Sequence, residues 1–477
     1  MNAGIMKQKL VDYIKQPTYV FLFFSVIFGV IFVFLTPPFQ SPDEQAHFFR
    51  AYQISDLHAH GSSEVVDGIR HYGGSIPKSV YQDTLLLKGD ISGHPNVLFD
   101  ASNYRKTIGD PLLTHDRQFV AFEGTEIYSP VPYTPQVIGI DIGKIFSLSP
   151  LALLWIGRLF NLAAWIGCIY ITLRIIPIAK WGVVILALNP LALFQAASVS
   201  ADALTTGSIF VLIGLLTYFM KRDSRLSVRG LAVICSIAVL IPLMKPTNIL
   251  LCILIFLLPR NGFSTFKKYI LYCSGTFIAS LVIMLAWNYS VSNIINDVPE
   301  IFQPGAGVST HGQVRFIFTH PLNYASNLIN NYAVGNTSNG DAVLRSYNGT
   351  FGWLDSSIPL WTVLLQANAL LLALMYQMGR GIALFRRQKL LIAALLFVSA
   401  LGIITSLYVG YTKVGANYVG GLQGRYFIPI SVLLILLFTG RKIVLSISEK
   451  SMGILMSSAT LITLSVTSIT LFIRYYG

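Results

Sequence analysis

Long apolar runs recur from one end of the chain to the other, and no other feature limits its fold so strongly. A helix rises about 1.5 Å per residue, so about 20 apolar residues cross the hydrocarbon of a bilayer. Runs near that length occupy 19–35, 151–176, 181–199, 203–220, 269–287, 358–378, 390–409, 426–438 and 452–473. Two shorter ones, 231–244 and 247–258, flank Lys245-Pro246 and read as a hairpin of short or tilted spans. The pattern predicts an all-α polytopic membrane protein with about eleven transmembrane helices. Composition agrees: 54% of the 477 residues are hydrophobic, 12% are charged, and mean hydropathy is +0.63, which excludes an ordinary soluble domain. The first run is longer than the apolar core of a signal peptide and has no small-residue cleavage site before Pro37-Pro38, so it reads as an anchor.

The net charge of +13 would fit a nucleic-acid binder if the cations were clustered on one soluble face. Instead Lys7, Lys9, Lys15, Arg174, Lys180, Lys221, Arg222, Arg225, Arg229, Arg260, Lys267, Lys268, Arg380, Arg386, Arg387, Lys389, Arg441, Lys442 and Lys450 flank alternate ends of the runs. This positive-inside pattern predicts a cytoplasmic N-terminus, two large loops outside and an outer C-terminus. The chain then divides into 1–36 (N-terminus and first span), 37–150 (first outer loop), 151–287 (spans), 288–357 (second outer loop) and 358–477 (C-terminal spans). Seventeen of the 21 acidic residues fall in the two outer loops, so the basic excess reports topology. The partner implied is a lipid bilayer and not nucleic acid. Cys168, Cys235, Cys252 and Cys273 lie in or beside apolar runs without metal-ligand spacing and read as packing residues.

Immediately beyond the first run, residues 39–50 bring Asp43, Glu44, His47 and Arg50 within about two helical turns of the membrane exit. Ser41-Pro42-Asp43-Glu44 has the form of a helix start, with Ser41 as N-cap, Pro42 at the first helical position and Glu44 completing a capping box. Asp43 is not the box partner, and His47 and Arg50 fall on roughly its side, so Asp43 is the leading candidate for direct chemistry, with Glu44 second. His47 is a candidate proton-handling or ligand residue. A divalent cation held by Asp43 and Glu44 is compatible with two carboxylates, although the ligand set is incomplete.

Outside the two large loops, five cations are left over once the inside flanks are removed: Arg158, Lys245, Lys413, Arg425 and Arg474, the last a tail residue beside the end of the final run. A charge near the membrane is costly unless paired or used, and guanidinium and ammonium groups suit a lipid phosphate. Pairing within the protein, for instance with Asp202, is the alternative. Asp202 also has a helix-capping reading. The run 128–133 resembles an extended aromatic wall, 133–146 an amphipathic helix, and Trp353 and Asp355 combine a ring with a hydrogen-bonding group in the manner of a carbohydrate site.

Ser41-Pro42-Asp43-Glu44 with His47 and Tyr52, Asn189-Pro190 with Ser200-Ala201-Asp202, Gly352-Trp353-Leu354-Asp355 with Pro359, and Gln423-Gly424-Arg425-Tyr426 with Pro429 stand in consistent order. In this the chain resembles a bacterial multipass membrane family of unknown function, DUF2142, over most of its length. That family in turn resembles the GT-C glycosyltransferases, which use lipid-phosphate-linked sugars and carry an acidic residue in the first outer loop. The resemblance implies a GT-C-like fold in the bacterial cytoplasmic membrane and transfer of a sugar from a polyprenyl phosphate to an extracytoplasmic glycan or other envelope acceptor. It places Tyr426 beside Arg425 in the site. The matching mechanism has Asp43 as general base, inversion at the anomeric carbon, and Arg425, Lys245 or Arg158 facing the departing phosphate. The rival readings are a flippase for a polyprenyl-linked glycan and a noncatalytic assembly scaffold.

Overall fold

A computed structural model describes residues 13–222, 226–295, 297, 307–332, 340–376, 382, 384–439 and 445–477. The flanking cations at 7, 9, 225, 380, 441 and 442 lie outside these residues. Among the described residues, six helices are long and apolar enough to cross a membrane: Pro17–Leu35, Pro150–Ile175, Asp202–Arg222, Phe266–Ser290, Arg386–Tyr411 and Glu449–Tyr476, called here the first to sixth long helices. Shorter apolar helices cover Val228–Met244, Pro246–Leu257 and Leu360–Met375. The protein is therefore a mostly helical membrane protein.

Two of the runs counted toward eleven crossings are not single helices. The run 181–199 breaks into Lys180–Ala187 and Pro190–Ala196, with every residue from 181 to 200 buried. Asn189 stops the first piece and caps the second, its side chain accepting from Leu191 N and Ala192 N, and Pro190 fits the first helical position. Apolarity here serves burial inside the bundle. The run 426–438 likewise breaks into Gly424–Phe427, Ile428–Ser431 and Leu433–Leu437. Composition cannot separate a lipid-facing helix from a buried broken one, because both read as continuous apolar sequence.

The second long helix lies at the centre, packed against the first, the third and the helix Thr134–Ile145. Gly29 allows the first contact to be close: a Cβ there would lie 2.7 Å from Leu162 Cδ1. Ser149 caps the second helix by accepting from Ala152 N, and Pro150 begins it. Asn161 and Gln136 join it to the preceding helix, and they donate to Ser198 O and Ser200 O just before the third helix. The sixth helix closes on the first and on Leu360–Met375.

The segment 37–150 is not all helical and contains a regular sheet. Strands β1 (Ser62–Val66), β2 (Ile69–Pro77) and β3 (Arg117–Ala121) form an antiparallel sheet in that order. Asp67 and Gly68 make the two-residue turn between β1 and β2, both at positive φ (50° and 79°), the conformation that favours Asp-Gly. The amphipathic stretch at 133–146 does form a helix, Thr134–Ile145. A short hairpin, β4 (Thr350–Phe351) with β5 (Ser356–Ser357), carries Trp353 and Asp355 in its turn.

Candidate functional site

The helix bearing the first carboxylates begins at Glu44 and runs to Ser55. Its N-cap is Asp43, in the left-handed region at φ 63°, and the Asp43 side chain does not cap. Ser41 Oγ is buried without a partner, so the capping box predicted with Ser41 and Glu44 does not form. A different interaction sets this turn. Arg158, fully buried on the second helix, donates to both Glu44 oxygens (2.7 and 2.6 Å) and to the carbonyls of Val33, Thr36 and Pro37 at the end of the first helix. Glu44 also accepts from Phe39 N and Val199 N. The clamp draws Glu44 into the interior, and Asp43 takes the strained left-handed conformation that such a turn requires.

Asp43 consequently opens onto a cavity of about 610 Å³ whose wall also includes His47, Lys88, Asp202, Lys245, Trp353, Arg425 and Tyr426. Two ion pairs line it: Arg425 Nη2 to Asp43 Oδ2 at 2.6 Å and Lys245 Nζ to Asp202 Oδ1 at 2.9 Å. Tyr426 stands by both cations, its ring centre 5.3 Å from Arg425 Cζ and 5.2 Å from Lys245 Nζ. Gly424 seats this segment against 346–347. Its N–H donates to Ser346 Oγ at 2.7 Å, and a Cβ would lie 2.0 Å from Tyr347 N, so only glycine fits without rearrangement. Asp202 opens the third helix.

One end of the cavity meets an apolar groove of about 620 Å³ along the fifth helix. Ile127, Ser406 and Tyr411 line both spaces, while Val398, Leu401 and Val409 continue the groove alone.

Residues 24–434 match the family described as predicted membrane protein (DUF2142). The chain belongs to that family. No curated protein and no solved structure matches it. The DUF2142 match covers Asp43, Asp202, Lys245, Trp353, Arg425 and Tyr426.

Several sequence-predicted site residues are occupied elsewhere. Glu44 and Arg158 form the buried clamp and do not line the cavity, which corrects the assignment of Glu44 to chemistry and of Arg158 to phosphate. Glu44 is therefore turned away from any ion shared with Asp43, and no group of three or more metal-ligating side chains occurs among the described residues. Arg50 is fully buried against Glu126 and the carbonyls of Ala59 and Tyr128. Asp355 pairs at 2.6 Å with Arg474, which also gathers the carbonyls of Ile91, His94 and Val97. Lys413 is exposed and outside the cavity, in an isolated backbone bridge with Val308. For Arg50, Asp355 and Lys413 the substrate assignments are corrected on the same ground: each lies away from the cavity wall.

The charge states follow from the neighbours. Burial would raise the Asp43 carboxyl, but the charge of Arg425 and its hydrogen bond outweigh it and hold the group below the usual value. Burial pushes His47 down to about 4 against the opposing pull of Asp43 and Asp202, so the imidazole is neutral near pH 7. Its Nδ1 lies 2.6 Å from the Tyr133 hydroxyl, with the Tyr128 ring on another side. The predicted aromatic wall thus encloses His47. Lys88, Asn248 and Gln423 also line the cavity, without having been marked as site residues in the sequence. No local motif marks Lys88 or Asn248; Gln423 adjoins the recognised Gly424-Arg425-Tyr426.

Proposed function

We propose that the protein transfers a sugar from a polyprenyl-phosphate donor to a hydroxyl of a glycan or other cell-envelope acceptor, on the extracytoplasmic face of the bacterial cytoplasmic membrane. The observation that carries this reading is the junction of a cavity holding two carboxylate–cation pairs with an apolar groove on a long helix. An amphiphile with an anionic head and a long hydrocarbon tail suits that junction, and Lys and Arg offer complementary phosphate donors. The flanking-charge pattern supports the outer placement.

Chemically, the acceptor oxygen attacks the anomeric carbon as the bond from that carbon to the phosphate oxygen breaks. The hydroxyl proton passes to Asp43, and the lipid phosphate leaves with the bonding electron pair. Arg425 has a double role. While it holds Asp43 Oδ2 it depresses basicity; as it turns to the phosphate, Asp43 regains base strength when a proton must be taken. Lys245 is held at the cavity by Asp202 and adds positive charge where negative charge develops. Attack from the face opposite the phosphate gives inversion.

Purified protein in proteoliposomes, given undecaprenyl-phosphate hexoses and candidate envelope glycans, is expected to produce a new glycoconjugate. Arg425→Lys is expected to keep charge and lose about tenfold in rate through the missing bidentate geometry. Movement of the lipid-linked sugar between leaflets with no transferred product would replace this reading by the flippase.

A further inference from the structure

Among the described residues three cations line the cavity, and they are not equivalent. Arg425 and Lys245 each face a carboxylate, at 2.6 and 2.9 Å. Lys88 has no carboxylate partner among the described residues; its ammonium instead lies over the Trp353 ring, 6.0 Å from the centre. Lys88 ends the helix Lys78–Lys88, where the C-terminal dipole favours a cation modestly, but that does not account for its place on the cavity wall beside an indole.

The hydrogen-bonding inventory leans the same way. The buried side-chain atoms of cavity residues that lack a partner are Asn248 Nδ2, Trp353 Nε1 and Arg425 Nε among the described residues, and all three are donors. Glu123, the third carboxylate on this wall, is engaged by His71 Nδ1 at 2.8 Å and not by Lys88. A wall with surplus donors and one ammonium that faces no carboxylate is complementary to a ligand rich in acceptors and negatively charged. Lys88 and Trp353 are also absent from the apolar groove, so their end of the cavity is distinct from the end where a lipid tail would emerge.

We propose that Lys88 and Trp353 form a second anion subsite that reads an acidic sugar, a pyranose bearing a carboxylate or phosphate, on the acceptor. The indole supplies an apolar face for the ring and the ammonium meets the charged substituent. The identification of the ligand as the acceptor rests on the glycosyl-transfer reading; the selectivity for an anionic sugar rests on the wall itself.

The test uses the purified full chain and two disaccharides, one ending in glucuronic acid and the other in glucose, titrated by saturation-transfer NMR. Undecaprenyl phosphate binding is measured in parallel. The acidic disaccharide is expected to bind about tenfold more tightly than the neutral one, the scale of one charge-assisted contact. Lys88→Gln should bring the two within roughly twofold by weakening the acidic ligand alone, while Lys88→Arg keeps the preference. Undecaprenyl phosphate binding should be unchanged in Lys88→Gln, which also shows that the variant is folded. Equal binding of the two disaccharides by the parent, or a preference surviving in Lys88→Gln, overturns the subsite. Acidic-sugar binding through Lys88 in a protein that fails to bind undecaprenyl phosphate supports the subsite and removes the glycosyl-transfer reading instead.

Discussion

Asp43 and Glu44 are consecutive carboxylates with opposite environments. Glu44 is sealed between the first and second helices, both oxygens engaged by Arg158 and each reached by a backbone N–H. Asp43 has a side chain 46% exposed, and a single cation, Arg425, holds one of its oxygens. The difference separates a charge that maintains architecture from one available to a ligand. A buried pair with every acceptor occupied fixes geometry and has little capacity to exchange partners. An ion pair on a cavity wall can exchange, because a substrate phosphate can replace the carboxylate as the partner of the guanidinium.

The largest expected effect comes from breaking the sealed pair. Arg158→Met should lower stability by about 3–5 kcal/mol by leaving Glu44 charged, buried and unpaired. Adding Glu44→Gln should recover part of that loss, since the neutral amide keeps an acceptor for Phe39 N or Val199 N. Thermal unfolding in detergent would show it. An Arg158→Met protein as stable as the parent would mean that the clamp does not set the turn.

Asp43→Asn should behave in the opposite manner. Membrane abundance and melting temperature are expected to stay near those of the parent, while sugar transfer falls about 100-fold through loss of the base. Single-turnover transfer with bound donor is the measurement. Near-normal transfer would remove Asp43 from the chemistry and erase the functional half of the contrast between the neighbours.

The smallest effect concerns His47, on the same helix. Its folded pKa of about 4 lies below the ordinary 6.5, so it contributes stability above pH 6.5 that is lost as pH falls toward 4. The stability difference between the parent and His47→Gln should shrink by about 1.4 kcal/mol on going from about pH 7.5 to about pH 5.5. Melting curves of both proteins at the two pH values would test it, and a difference independent of pH would show that the imidazole is not held neutral.

How far the site was legible depended on the range of the interactions. Asp43, His47 and the Gln423-Gly424-Arg425-Tyr426 segment were marked by charge beside an apolar run or by a local motif, and the cavity brings them together. Arg158 and Arg425 were indistinguishable by composition, both being arginines near membrane ends. Their different roles came from partners 114 and 382 positions away, Glu44 and Asp43. Lys88 had no local signal, because its place depends on how the helix Lys78–Lys88 docks near the hairpin carrying Trp353.

The sequence alone determined that the chain is a mostly helical membrane protein, because apolar length is a local property that the bilayer reads directly. Asn189-Pro190 carries the cap and ring chemistry that ends one helix and starts the next, yet the continuous apolarity of 181–199 read as one span. The tertiary structure decided which apolar runs become long helices and which are buried in pieces, since both solutions satisfy the same composition. It also decided that Glu44 would be sealed and Asp43 left half-buried on the cavity wall. Local capping preferences favoured one helix start, but the buried guanidinium of Arg158 required a carboxylate, and the turn formed around that pair.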